Sequence, residues 1–367
     1  MSALNVLTPE KPAVKPRGTL KKLAKAGLWL LAICLFFELG LRVFGYGSYV
    51  TYRPDERLLW VPVPGSHKVT EINHLPITIN PQGFRYTKSV GPAHPGVFRI
   101  FAFGDSVTMG WGVGDNSTYS SALEKLLNAQ DCSGTNFQVI SAGVNAYPNA
   151  LVVERLKKVL DDNYQPDAVV VAYSFNTGFE RLPDLQGMDR QKFLHRVELK
   201  SIARRSAIYN YVIEDLLRKV VYYRFRELLM QGSWNTAKER PDVDVSHFVR
   251  GLEQAKAVTD ARHVQLILLL LGSENETVPE HPYQKAMAEF ASANHVPIVN
   301  MIEVMRSRPQ TEMFQDHVHP TAAGHALIAQ QLASTLRGLG SYQTVCRTRP
   351  TNSAVTSLTT DSAVSQR

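Results

Sequence analysis

Residues 98–106 read Phe98-Arg99-Ile100-Phe101-Ala102-Phe103-Gly104-Asp105-Ser106, and Val107-Thr108-Met109-Gly110-Trp111-Gly112 follow directly. A short apolar run closed by a glycine turn predicts a strand buried on both faces. It delivers Ser106 to the strand's carboxyl end. A serine hydroxyl at such a corner can face a substrate while its backbone N–H points at a developing oxyanion. The partners it would need stand far downstream, in Asp316-His317-Val318-His319-Pro320. An Asp three residues before a His can share one short turn with it, the carboxylate orienting the imidazole and the imidazole activating the serine. The spacing predicts Ser106 as nucleophile, His319 as base and Asp316 as the orienting acid.

Outward from this stretch the chain alternates in an α/β rhythm. Apolar runs at Phe98–Gly104, Gln138–Val144, Ala168–Ser174, Val264–Leu271 and Pro297–Ile302 predict buried parallel strands. Helical patterns at Ser120–Ala129, Ala150–Asp161, Ser246–His263 and Gln284–Asn294 separate them, and Thr321–Leu339 closes the region behind Pro320. The expected fold is a three-layer, doubly wound, mainly parallel five-stranded sheet, with its site at the carboxyl ends of the strands.

Four blocks in this order resemble those of the SGNH hydrolases, also called GDSL-type lipases and esterases. They are Gly104-Asp105-Ser106, then Ser141-Ala142-Gly143-Val144-Asn145, then Ser174-Phe175-Asn176-Thr177, and finally Asp316 with His319-Pro320. The third matches the family's Gly-x-Asn-Asp only in part. The resemblance covers residues 97–340 and is that of a membrane-anchored bacterial-type member with a flavodoxin-like fold. It implies an oxyanion hole built from the N–H groups of Ser106 and Gly143 and the side chain of Asn176, and it implies no cofactor.

Plainer readings compete at each position. A lone Asp-Ser turn is usually a strand exit, Gly143 could merely permit a turn, and Asn176 could satisfy loop backbone. His317 competes with His319 as the base, and the two histidines beside Asp316 also suit zinc. No further cluster has ligand spacing, so no metal is expected. His263, His295 and His325 read as structural or solvent-facing.

With 44% hydrophobic residues, a 367-residue chain can bury a full core and still carry extra segments. Cys34, Cys132 and Cys346 make no disulfide framework, although the last two could pair in an oxidising compartment. The formal charge of +7 is concentrated in Lys11–Lys25 and again in Arg196–Arg226. No nucleic-acid fold signature accompanies these clusters, so a membrane surface explains them more economically than nucleic acid does.

The apolar stretch after Lys25, extended through Phe44, is long enough for one membrane helix. Glu38 and Arg42 stand four apart and can pair near its far interface. A cleaved signal peptide is the rival reading, but no convincing Ala-x-Ala site follows. In either case the lysines stay in the cytoplasm and the serine-containing region crosses the membrane. The organisation expected is a basic tail (1–25), a transmembrane anchor (26–45), a Pro-rich linker (46–96), a hydrolase domain (97–340) with a helical insertion (178–244), and a disordered tail (341–367). The expected location is the inner membrane, single-pass, with the domain on the periplasmic or extracellular side, or secretion if the helix is cleaved.

The expected activity is hydrolysis of an O-acyl ester, acetyl or lipid, with an envelope glycan or lipid as substrate. Transfer of the acyl group to a polysaccharide would use the same three residues. A non-catalytic, membrane-tethered binding protein is the alternative from a different class.

Overall fold

The computed structural model describes residues 17–347 except 131, 133, 174–188, 218, 221–243 and 273–281. Its first element is helix α1 (Arg17–Val43). Leu20–Val43 within it is long and apolar enough to cross a membrane, and none of its most apolar stretch is buried by the rest of the chain.

Residues 46–96 form two small hairpins, β1 (Tyr52–Asp55) with β2 (Leu59–Pro62) and β3 (Ser66–Val69) with β4 (Pro76–Ile79). They are short because prolines at 54, 62, 64, 76 and 81 interrupt the ladders. Both pack on the main body, with Leu58, Leu59, Ile77, Ile79 and Phe84 buried. Arg85 then bridges to Ser141 at the edge of the central sheet, where an unpaired edge strand would otherwise lie open.

The central sheet contains β5 (Val97–Phe103), β6 (Asn136–Ser141), β7 (Ala168–Tyr173), β8 (Gln265–Leu270) and β9 (Ile298–Asn300). Its order is β6-β5-β7-β8-β9, every pair parallel. Alternation along each strand sends Phe101, Phe103, Val169, Val171, Leu266 and Leu268 to one face, and Ile100, Ala102, Val170, Ile267 and Leu269 to the other. Both faces are covered, which is why the strands read as unbroken apolar runs.

The main helices in chain order are α2 (Ser106–Met109), α3 (Tyr119–Asn128), α4 (Asn149–Asp161), α5 (Arg190–Ala203), α6 (Ala207–Tyr209), α7 (Ser246–Asp260), α8 (Pro282–Ala293), α9 (Ala322–Gly338) and α10 (Gly340–Arg347). Two short helical turns, Ile302–Arg306 and Gln310–Met313, lie between α8 and α9. A π-helical stretch, Asn210–Leu217, continues α6. Helices α3 and α9 cover one sheet face, and α4, α7 and α8 the other. The chain steps from β5 outward to β6 and then returns past β5 to β7. The loops at the carboxyl ends of β5 and β7 therefore part and leave a crevice.

One boundary differs from the sequence reading. Residues 341–347, which composition assigns to a disordered tail, belong to α10, which Cys346 ties to Cys132 by a disulfide. Tyr342 is buried against Phe137, an apolar anchor that the Ser- and Thr-rich composition masked.

Candidate active site

Strand β5 is buried from Phe98 onward and carries the chain straight to Gly104. A β-carbon at Gly104 would stand 2.1 Å from Thr108 Oγ1, so only glycine lets the turn close against the next helix. The Asp105 carboxylate accepts from the Val107 N–H at 2.9 Å and caps α2, of which Ser106 is the first residue. Ser106 is 8% exposed, held at a tight corner with little freedom to wander.

The second half of the site is a short loop between Met313 and Thr321. Phe314 pairs with Pro320, and the Gln315 N–H donates to the His319 carbonyl at 2.8 Å. Within this loop Asp316 Oδ1 accepts from the N–H groups of Val318 (3.0 Å) and His319 (2.8 Å). His319 Nδ1 lies 2.8 Å from Asp316 Oδ2, and His319 Nε2 lies 2.8 Å from Ser106 Oγ. An ionised carboxylate only accepts, so Nδ1 carries the proton and Nε2 is left to accept from the serine hydroxyl. Burial alone would raise the Asp316 pKa. The His319 ring and the two backbone N–H groups outweigh it and hold the carboxyl well below the usual range. The ring in contact with Ser106 is that of His319, not His317.

Trp111 packs on the His319 ring with centroids 4.3 Å apart. The Gln315 amide links the same two loops, donating to the carbonyls of Pro320 (2.7 Å) and Trp111 (3.3 Å). Neither residue was singled out from the sequence, because each acts only once two distant loops meet.

Gly143 follows β6 by two residues. A β-carbon there would stand 2.4 Å from Met109 N and 2.7 Å from the Thr108 carbonyl carbon, so any side chain would push the α2 backbone aside. The N–H groups of Ala142 and Val144 donate to the carbonyls of Ala102 and Gly104. The Gly143 N–H between them has no partner among the described residues. Asn176, the third expected oxyanion donor, lies outside the described residues.

Arg85, to which the sequence reading gave no chemistry, clamps the turn beyond α2. Its guanidinium donates to the carbonyls of Met109 (2.5 Å), Gly110 (2.5 Å) and Val113 (2.6 Å), and Asp115 stands 3.5 Å away. Burial pushes its pKa down to about 10 against the pull of Asp115, which leaves it charged at neutral pH. The signal lay in Asn80-Pro81-Gln82-Gly83-Phe84-Arg85, where a tight turn presents an arginine. Behind α2, buried His325 accepts from the Tyr119 N–H through Nδ1, and the Tyr119 hydroxyl donates to Thr108 Oγ1. This confirms His325 as structural.

A cleft of about 320 Å³ opens beside Trp111, walled by Tyr52, Trp60, Asn145, Phe193 and Arg204. It brings together the hairpins, the loop after Gly143 and helix α5.

The family model of the GDSL-like lipase/acylhydrolase family matches residues 102–327. The chain belongs to this family. Membership makes it a serine ester hydrolase, and the matched span runs from the strand before Ser106 to beyond His319. Among solved structures, a two-domain esterase active on acetylated mannans is 18% identical, with 66% of this chain and 49% of that chain covered and a TM-score of 0.40. This GDSL-like chain therefore spans about half the length of that esterase. A lipase/acylhydrolase from Enterococcus faecalis is also 18% identical, covering 66% of this chain and 96% of that one, with a TM-score of 0.41. An acetyl xylan esterase is 14% identical over 65% of this chain and 98% of its own, again with a TM-score of 0.41. No curated protein sequence matches this one.

Proposed function

We propose that this protein is a membrane-anchored serine esterase that cleaves an O-acyl ester through Ser106, His319 and Asp316. The supporting observation is the unbroken relay from Ser106 Oγ to His319 Nε2 (2.8 Å) and from His319 Nδ1 to Asp316 Oδ2 (2.8 Å). Ser106 Oγ attacks the acyl carbonyl as its proton passes to His319 Nε2. Asp316 holds the ring in the accepting tautomer and stabilises the imidazolium. The tetrahedral oxyanion is held by the N–H groups of Ser106 and Gly143 and by the Asn176 side chain. His319 then returns the proton to the leaving alkoxide. Water, deprotonated by the same ring, resolves the acyl-enzyme.

We assign the unit from residue 97 to about 340 to catalysis and α1 to anchorage, with the domain on the outer side. The Cys132–Cys346 disulfide supports that side, since such bonds persist in oxidising compartments. The substrate class that fits this placement is an acylated glycan or lipid of the cell envelope. The aromatic cleft beside Trp111 also favours a second reading, in which a sugar hydroxyl bound there takes the acyl group in place of water.

The test is p-nitrophenyl ester turnover by the full chain in detergent, with short and long acyl groups and Ser106→Ala as control. Release that vanishes with Ser106→Ala is expected. Equal release by both proteins would remove the serine from the mechanism. Faster acyl release on adding a sugar acceptor would favour transfer over hydrolysis.

A further inference from the structure

Glu38 lies within an apolar helix, where a lone carboxylate is costly and therefore asks for a partner. It has several. Its oxygens accept from Ser206 Oγ (2.9 Å) and from the backbone N–H groups of Ala207 (2.8 Å) and Ile208 (3.1 Å), the first N–H groups of the α6 turn. Arg42, one helical turn further on, pairs with Glu38 at 2.7 Å and donates to the Arg205 carbonyl at 2.6 Å. The charged pair thus fastens the insertion to α1 through residues 205–208.

The fastened segment is two-faced. Phe193, Val197 and Arg204 of its first part line the cleft beside Trp111. The other side leaves Leu199, Ile202, Val212, Ile213, Leu216 and Leu217 exposed, Ile202 at 53% and Leu217 at 49%. So large a cluster is not left to water in a stable soluble surface. It is continuous with the exposed apolar surface of α1, because Phe37, Leu41 and Phe44 share one groove with Ile208, Tyr211 and Val212. The same groove begins at Cys34. From Cys34 to Phe44 a helix rises about 15 Å, about half the thickness of a bilayer's hydrocarbon core. Exposed Arg196, Arg205 and Lys219 flank the patch, as a surface meeting anionic headgroups requires.

We propose that residues 199–217 lie in the outer leaflet of the bilayer as a second membrane contact, pinned to α1 by Glu38. The occupant of the exposed apolar face is lipid. This sets the mouth of the cleft at the bilayer surface, so the ester substrate is one presented at that surface, either a lipid or a glycan held on one. The inference rests on the anchor part of the function proposed above and is independent of the triad.

The test uses the full chain in vesicles of phosphatidylethanolamine with a minority of phosphatidylglycerol. A nitrobenzoxadiazole label is placed on a single cysteine, and quenching by nitroxide-bearing lipids is read. Native Cys34, exposed on α1, is the reference inside the bilayer. In a Cys34→Ala background, Leu216→Cys reports on the patch and Glu289→Cys, exposed on α8, reports on water. Quenching at 216 should exceed that at 289 several-fold and approach that of Cys34. Glu38→Ala should lower it at 216 while leaving Cys34 quenched.

Quenching at 216 no greater than at 289 would overturn the proposal, as would a mature chain whose mass begins after Val43. Full retention of quenching in Glu38→Ala would overturn the pinning. Esterase turnover is not read in any arm, so a failure here leaves the Ser106 assignment standing, and a failure there leaves this one.

Discussion

Asp316→Asn separates the orienting carboxylate from everything else at the site. In the native protein Oδ1 accepts from the N–H groups of Val318 and His319 and stands 3.0 Å from His319 Nδ1, while Oδ2 is nearer that nitrogen at 2.8 Å. Asparagine has only one oxygen. The two backbone donors hold it where Oδ1 stood, and this turns the amide NH₂ toward Nδ1. A donor facing Nδ1 drives the ring proton to Nε2, so the nitrogen beside Ser106 now donates where it must accept. Loss of the correct tautomer in a Ser-His-Asp triad lowers kcat about 10⁴-fold, roughly 5.4 kcal/mol of transition-state stabilisation. Both backbone hydrogen bonds survive, but the neutral amide gives up the charge that the lowered Asp316 pKa shows to be stabilising, so the variant should also unfold at lower urea at neutral pH. The assay is kcat on p-nitrophenyl acetate beside a urea unfolding curve. A variant that keeps more than a tenth of native kcat would refute the reasoning, because the ring would then be oriented by something other than Asp316.

Burial, with the charge of Arg85 behind it, pushes the His325 pKa down to about 3. The unfolded chain takes up this proton below about pH 6.5 and the folded chain does not, so stability falls with pH in the window between, by about 2 kcal/mol at pH 5. His325→Asn keeps an acceptor for the Tyr119 N–H, and its urea unfolding free energy should lose about 2 kcal/mol less than the native protein's between neutral pH and pH 5. Arg85→Met strands three carbonyls and should cost at least about 3 kcal/mol with a fall in kcat. Arg85→Lys should recover only part of both, since an ammonium lacks the fork that spans three acceptors. Reduction of Cys132–Cys346, which closes a separation of 214 residues, should lower unfolding stability by up to about 5 kcal/mol on the loop-entropy account. A melt unmoved by reductant would show that α10 docks without its covalent tie.

The α/β sheet was legible because strands buried on two faces need unbroken apolar residues. The runs at 98–104, 138–144, 168–174 and 264–271 carry that signal whatever their neighbours do. Ser106, Asp316 and His319 could be singled out for the same kind of reason, since the roles proposed for them demand particular residue types at a strand exit and on a three-residue turn. Gly143 was also legible, but the reason it must be glycine was not. It is the pressure of the α2 backbone at 2.4 Å, a contact between chain segments that no local pattern records.

What only the tertiary structure decided is how remote segments meet. Arg85 and Trp111 looked like ordinary linker and loop residues until folding set one against three carbonyls and the other against His319. Glu38 was readable as a partner for Arg42, because four residues make one helical turn. Its hold on residues 206–208 depends on where a chain 168 or more positions away returns. Periodicity and residue chemistry are local and survive in the sequence. Long-range closure is set by the packing of the whole, and the sequence carries it only in a form that folding must read out.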